Sequence, residues 1–321
     1  MFFRRIVRLS AGSAFLLLLA GWLAVEFMLP YWPIKPLRRD PEQANWRIPR
    51  GAKPENYGLQ ADYLQVQTHD SVLLKALYIP AVAPARQQAS LAGFAAAPRD
   101  ASAPKTIIIL HGISSCKEFF LPTAERLARE GLNVVLLDLR AHGDSGGEYC
   151  TFGYYEKHDV SAVVDSLLAR NPQQRIGVMG HSLGGAIALQ ALAHDKRLQF
   201  GVIESTFHDL EAVVEQYGEN YFGLRSSWLA QHTLDKSGAI AQFDPHAVKP
   251  FEAARSVTQP VFIAHGDADE RIPASFGRQN FDNLASTDKQ WYLIPGAGHN
   301  GIWRSGGPAY VAAVMGFLER Q

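Results

Sequence analysis

Five residues, Gly180-His181-Ser182-Leu183-Gly184, read G-x-S-x-G, and Gly185 adds another small residue behind them. The apolar run Arg175-Ile176-Gly177-Val178-Met179 precedes them and has strand character. Ala186-Ile187-Ala188-Leu189-Gln190-Ala191-Leu192 follows and favours helix. A serine between a strand and a helix sits on a sharp turn that pushes its hydroxyl outward as a nucleophile. Gly180 and Gly184 have a steric reason to flank it. So tight a turn strains the serine backbone and brings strand and helix too close for side chains on either side.

A serine hydroxyl is a weak nucleophile at neutral pH, so it needs a base, and the base needs a group that holds its tautomer. In the chain order Ser, Asp, His both must follow Ser182. His194, His208, His232, His246, His265 and His299 qualify by order. His299 stands after the last apolar run in Pro295-Gly296-Ala297-Gly298-His299-Asn300, where small neighbours leave the imidazole free to reach Ser182. It is the expected base. The acid is expected from the turn after Val261-Phe262-Ile263-Ala264, which carries Asp267, Asp269 and Glu270. Asp269 is preferred, Asp267 is the alternative, and Glu270 reads as a surface or helix-start charge. No ligand cluster completes a metal site from these carboxylates, and neither metal nor organic cofactor is expected. Two backbone N–H groups must hold the oxyanion. One is assigned to Leu183. The other is assigned to Ile113 in His111-Gly112-Ile113-Ser114-Ser115, with His111 bracing the loop.

The elements that must position these groups follow from periodicity. Residues 63–68 and 72–79 form a hairpin around His69-Asp70-Ser71. Strands at 106–110, 133–139, 175–179, 200–204, 260–264 and 290–294 alternate with helices at 122–130, 157–170, 186–194 and 310–320. Continuous apolar strands alternating with helices predict an α/β fold with a mostly parallel sheet covered on both faces. About 55 residues separate the strand ending at Glu204 from the one starting at Pro260. Two helices within it, at 210–217 and 226–232, suggest a helical cap insertion over residues 205–255. Residues 81–104 are rich in Ala and Pro and read as a surface insertion.

These motifs, taken in order, resemble the α/β-hydrolase family, and its esterase, acylglycerol lipase and serine aminopeptidase-like branch in particular. The resemblance rests on His111-Gly112, on Asp138-Leu139-Arg140-Ala141-His142-Gly143-Asp144-Ser145, on Gly180–Gly184 and on the Asp269/His299 pair. It covers residues 60–321. Ala141 stands where the family pattern D-x-R-G-H-G-x-S carries glycine. The resemblance implies a serine hydrolase working through an acyl-enzyme on a small-molecule or lipid-like acyl substrate. Ester is the leading bond, ahead of thioester and amide. A peptidase, a perhydrolase or a catalytically silent binding protein on the same fold are the other readings.

The first 30 residues differ from the rest. Arg4, Arg5 and Arg8 precede an apolar run over residues 9–29 interrupted by Glu26, and Trp22, Tyr31 and Trp32 suit an interface. As a helix these 21 residues would reach about 31 Å, enough for a bilayer. A single-pass signal-anchor over residues 1–30 is expected, with a linker over 31–58 and the catalytic domain, 59–321, on the non-cytoplasmic side (periplasmic in a bacterium). A cleaved signal peptide competes, without a good small-x-small site. The 31 basic and 31 acidic residues cancel, and no arginine-rich run points to nucleic acid. Gly296-Ala297-Gly298-His299-Asn300-Gly301 matches G-x-G-x-x-G, but no βαβ unit can follow it. Cys116 and Cys150 are left open between a disulfide and two free thiols. The sequence leaves the oligomeric state open.

Overall fold

The computed structural model describes residues 11–82 and 104–321. The insertion read at 81–104 and the basic residues Arg4, Arg5 and Arg8 lie wholly or mostly outside them. Eight strands form one sheet: β1 (Asp62–Gln67), β2 (Leu73–Ile79), β3 (Lys105–Leu110), β4 (Asn133–Leu137), β5 (Arg175–His181), β6 (Leu198–Glu204), β7 (Val261–Gly266) and β8 (Lys289–Ile294). Their spatial order is β1-β2-β4-β3-β5-β6-β7-β8. β1 and β2 pair antiparallel, as does β2 with β4, and the remaining pairs are parallel. From β3 the chain steps outward to β4 and then returns to β5 on the other side. The crevice at the carboxyl ends of β3 and β5 is therefore a topological switch point, where open α/β sheets bind ligands.

The helices are α1 (Ala11–Phe27), α2 (Tyr31–Ile34), α3 (Pro41–Asn45), α4 (Leu121–Arg129), α5 (Glu156–Arg170), α6 (Leu183–His194), α7 (Leu210–Phe222), α8 (Ser227–Ala241), α9 (Pro250–Ala254), α10 (Ala274–Asn283) and α11 (Ile302–Glu319). Alternate residues of β3 serve two cores. Ile108 and Leu110 pack on the α5/α6 face, Ile107 and Ile109 on the α4/α11 face. Every residue of α6 from Leu183 to Leu192 is buried, as an all-round apolar helix requires. α4 buries only Leu121, Thr123, Ala124, Leu127 and Ala128 and turns Arg126 and Arg129 outward.

Several elements depart from their expected limits. β4 stops at Leu137 because the Asp138 side chain turns inward to partners described below. α8 runs to Ala241, well past the expected end at 232: Ser226 caps its start by accepting from Leu229 N–H, and Gln242 ends it with φ 56°. The closing helix begins at Ile302, eight residues early, and breaks at Gly307 (φ 57°) before Pro308. α10 was not anticipated. Cys116 and Cys150 are both free and buried, in cores on opposite faces of the sheet. The sheet stands between them, and burial pushes the Cys116 thiol up to about 12.

Residues 31–59 carry core side chains. Ile34 is fully buried in one core, and Ile48, Tyr57 and Leu59 in the other. α1 covers 17 residues of the apolar run, roughly 26 Å of helix, while Leu9 and Ser10 lie outside the described residues. The turn before Pro30 ends it. Among the described residues no helix is long and apolar enough to cross a membrane. α1 leans on α8 through Glu26, which binds Lys236 and His232. The Ser237 hydroxyl donates to Pro30 O.

Candidate active site

Ser182 joins β5 to α6 with φ 56° and ψ −117°, a region a non-glycine residue occupies only when its surroundings hold it there. They do: Ser182 N–H donates to Glu204 O, and Ser182 O accepts from Gly185 N–H and the Thr206 hydroxyl. A Cβ at Gly180 would lie 2.1 Å from Gly184 O, and one at Gly184 would lie 2.1 Å from Leu110 O. Both positions are closed to any side chain.

His299 Nε2 lies 3.0 Å from Ser182 Oγ, and His299 Nδ1 lies 2.8 Å from Asp269 Oδ2. With Nδ1–H donating to the carboxylate, Nε2 is left to accept the serine proton. Asp269 Oδ1 accepts from the Arg271 and Ile272 N–H groups. His265 Nε2 donates to Ile272 O at 2.9 Å and stands 3.3 Å from Asp269 Oδ2. Burial opposes the charged form of Asp269. Hydrogen bonds from His265 and His299 and the His299 charge outweigh it and hold the carboxyl well below the usual range. Asp267 goes elsewhere: it is exposed and accepts from Gly296 N–H at 2.6 Å, bracing the turn that carries His299. Glu270 is exposed. The G-x-G-x-x-G stretch is that turn and the start of α11.

Leu183 is the first residue of α6, so its N–H has no carbonyl one turn back in the helix. Ile113 lies on the loop after β3, whose Gly112 approaches the serine: a Cβ there would be 3.5 Å from Ser182 Cβ. The Ile113 N–H has no hydrogen-bond partner among the described residues. His111 braces this loop as expected. Its Nδ1 donates to Gly112 O at 2.8 Å and its Nε2 accepts from Leu139 N–H at 3.2 Å. Burial pushes it down to about 4, so it stays neutral.

Sequence reasoning missed two buried charge networks. Lys117 is buried and meets the buried Asp138 and Glu118 at 2.7 and 2.9 Å and the exposed Asp144 at 2.7 Å, and ties the loop after β3 to the end of β4. Glu204, at the end of β6, is buried, accepts from the Tyr310 hydroxyl at 2.5 Å and stands 3.9 Å from His181. Burial pushes it up to about 7. A carboxylate closing an apolar strand was the available signal for Glu204. A lysine two residues after the Ser114-Ser115 pair carried none. Ala141, standing where the family pattern has glycine, takes φ 60°.

Ser182 and His299 open into a cavity of about 1050 Å³. Phe119, Phe120 and Phe152 line it, together with Val213, Tyr217 and Phe222 of α7. Trp32 and Leu37, from the segment after α1, form part of the same wall, and the Trp32 ring meets Tyr217, Tyr221 and Phe222 edge-on at 5.8–6.4 Å.

The sheet order, the corner at β5 and the helices on both faces define an α/β-hydrolase fold. The family model for the alpha/beta hydrolase fold matches residues 105–258. The chain is 26% identical to the Pyrococcus furiosus esterase Pf2001, with a TM-score of 0.65 over 84% of this chain and 94% of that one. It is 26% identical to a monoacylglycerol lipase of Mycolicibacterium smegmatis over 61% of this chain and 81% of that protein. It is 28% identical to the Bacillus subtilis protein YqkD over 74% of this chain and 78% of that protein. The chain thus has the α/β-hydrolase fold, and an esterase and a lipase are among the proteins it is similar to.

Proposed function

We propose that the protein hydrolyses carboxylic esters by a two-step serine mechanism. The observation that carries this reading is the line Ser182 Oγ, His299, Asp269 at 3.0 and 2.8 Å, ending in the large cavity. Ser182 Oγ attacks the ester carbonyl while His299 Nε2 takes its proton. Asp269 holds the imidazole and stabilises its charged form. The N–H groups of Leu183 and Ile113 receive the oxyanion. His299 then gives the proton to the departing alcohol, leaving an acyl group on Ser182. A water, deprotonated by His299, attacks the acyl group and releases the acid. Asp269 has the partners of the orienting acid, and Asp267 does not.

The apolar lining of the cavity favours a hydrophobic acyl chain. We further propose that the first 30 residues hold the enzyme at a membrane, with the catalytic domain on the non-cytoplasmic side. Exposed Leu16, Trp22, Leu23, Phe27 and Met28 on and just after α1 support attachment. Residues 205–255 act as a cap over the cavity. A fluorophosphonate probe should label the wild type and leave Ser182→Ala unlabelled. A panel of p-nitrophenyl esters of increasing chain length should show turnover that Ser182→Ala loses. Labelling or turnover retained in that variant ends the mechanism. Protease accessibility in intact cells and spheroplasts reads the orientation.

A further inference from the structure

The cavity has an apolar interior but a cationic mouth. Arg39 and Arg47 come from the segment after α1, Arg271 from the loop after β7, and Arg304 from α11, and all four line it. None forms a salt bridge among the described residues. Lys35 also lines the mouth, but it is answered by Glu148 at 3.6 Å. Among the described residues of the lining the one carboxylate is Glu204, which is buried against Tyr310. Desolvation, and then the charges of Arg39 and Arg271, push the Arg47 guanidinium below its ordinary value. The three groups therefore feel one another. Three remote parts of the chain thus bring like charges together at the entrance to one pocket, none of them held in a salt bridge among the described residues.

We infer that this mouth binds an anionic group on the substrate itself, so that the preferred ester joins an apolar acyl chain to an alcohol bearing a phosphate or carboxylate. This deepens the ester-hydrolase reading and rests on it. The acyl chain lies among the aromatic side chains of the cavity, the carbonyl reaches Ser182, and the anion meets the guanidinium forks. Their planar, bidentate geometry matches phosphate and carboxylate oxygens. A neutral alcohol of the same size would leave the arginine cluster uncompensated.

The test compares 1-hexanoylglycerol with 1-hexanoylglycerol 3-phosphate, both monomeric, on the full chain in neutral detergent. At low salt the phosphate-bearing ester should be preferred by about tenfold or more in kcat/KM, mainly through KM. The ratio should fall toward one as KCl is raised. Arg47→Ala and Arg39→Ala should each lower it several-fold, with Arg47→Lys recovering part. A wild-type ratio of one or less, or a ratio that the arginine variants leave in place, overturns the inference. So does a preference that appears only when the ester is presented in phosphatidylglycerol vesicles, because the arginines would then serve the bilayer surface. Calorimetry with the ether 1-O-hexylglycerol 3-phosphate on Ser182→Ala separates this inference from the mechanism. Binding that weakens in the arginine variants supports the anion site even where neither ester is turned over. Ester turnover without ether-phosphate binding overturns the anion site alone.

Discussion

The corner around Ser182 and the outer wall of the same cavity are built in opposite ways. The corner is local and crowded. Gly180, Ser182 and Gly184 fall within five residues, and backbone atoms stand where side chains would go. The wall is assembled from Trp32 and Leu37, from α7 and from the start of α11, segments far apart in the chain, and several of its aromatic side chains remain exposed. Reaction geometry tolerates little displacement, so it is placed on the close-packed sheet. Selectivity can be adjusted in small steps, so it is carried by the looser wall.

Substitutions can break that contrast or sharpen it. The largest expected effect is at the corner: Ser182→Ala should lower kcat by roughly four to six orders of magnitude with the far-UV circular dichroism retained. Asp269→Asn should cost about 10³–10⁴-fold through the wrong imidazole tautomer, whereas Asp267→Asn should stay within about tenfold. Equal losses would reassign the acid. Gly184→Ala drives a methyl group into Leu110 O and should destabilise by about 3 kcal/mol or more in denaturant titrations. A pH series tests the floor of the pocket. Glu204 has its folded-state value raised to about 7 by burial. Between its unfolded value and pH 7 the folded protein therefore holds the extra proton, and the stability it contributes is lost as pH rises through that window. Glu204→Gln should remove this slope, gaining on the wild type by about 3 kcal/mol between pH 4.5 and 8. The smallest effect belongs to the wall. Trp32→Ala should reduce the preference for long over short acyl esters by about threefold to tenfold. A corner-sized loss there would erase the distinction between the two regions.

The same contrast explains what could be read in the sequence. Ser182, His299 and the loop after β3 were legible because each needs a short run of defined small residues beside an apolar strand. Asp269 was separable from Asp267 only by chain context. The fold shows the reason: two backbone N–H groups and His299 converge on one carboxylate, and Gly296 takes the other. Lys117 was illegible because Asp138 and Asp144 lie 21 and 27 residues away, while Glu204 showed only as a carboxylate closing an apolar strand, its partner Tyr310 lying 106 residues away. The first half of α11 was hidden by Gly306-Gly307-Pro308, which punctuates the pattern while the chain resumes the helix beyond it. The segment 31–58 read as a linker because its buried residues, Ile34, Ile48 and Tyr57, show no period. Each fills a separate recess on a core formed by other elements.

That segment has a practical consequence for anyone preparing the enzyme. Between the Glu26 contact with α8 and Arg47 at the mouth, one continuous strip connects the apolar N-terminal helix to the substrate cavity. Trimming the chain for easier handling is therefore also a change of specificity. A cut that spares Tyr31 keeps Trp32, Ile34 and the arginines in place. A cut ten residues later would yield a protein with its reaction centre complete and one side of its binding site missing, and its substrate profile would describe the shortened chain only.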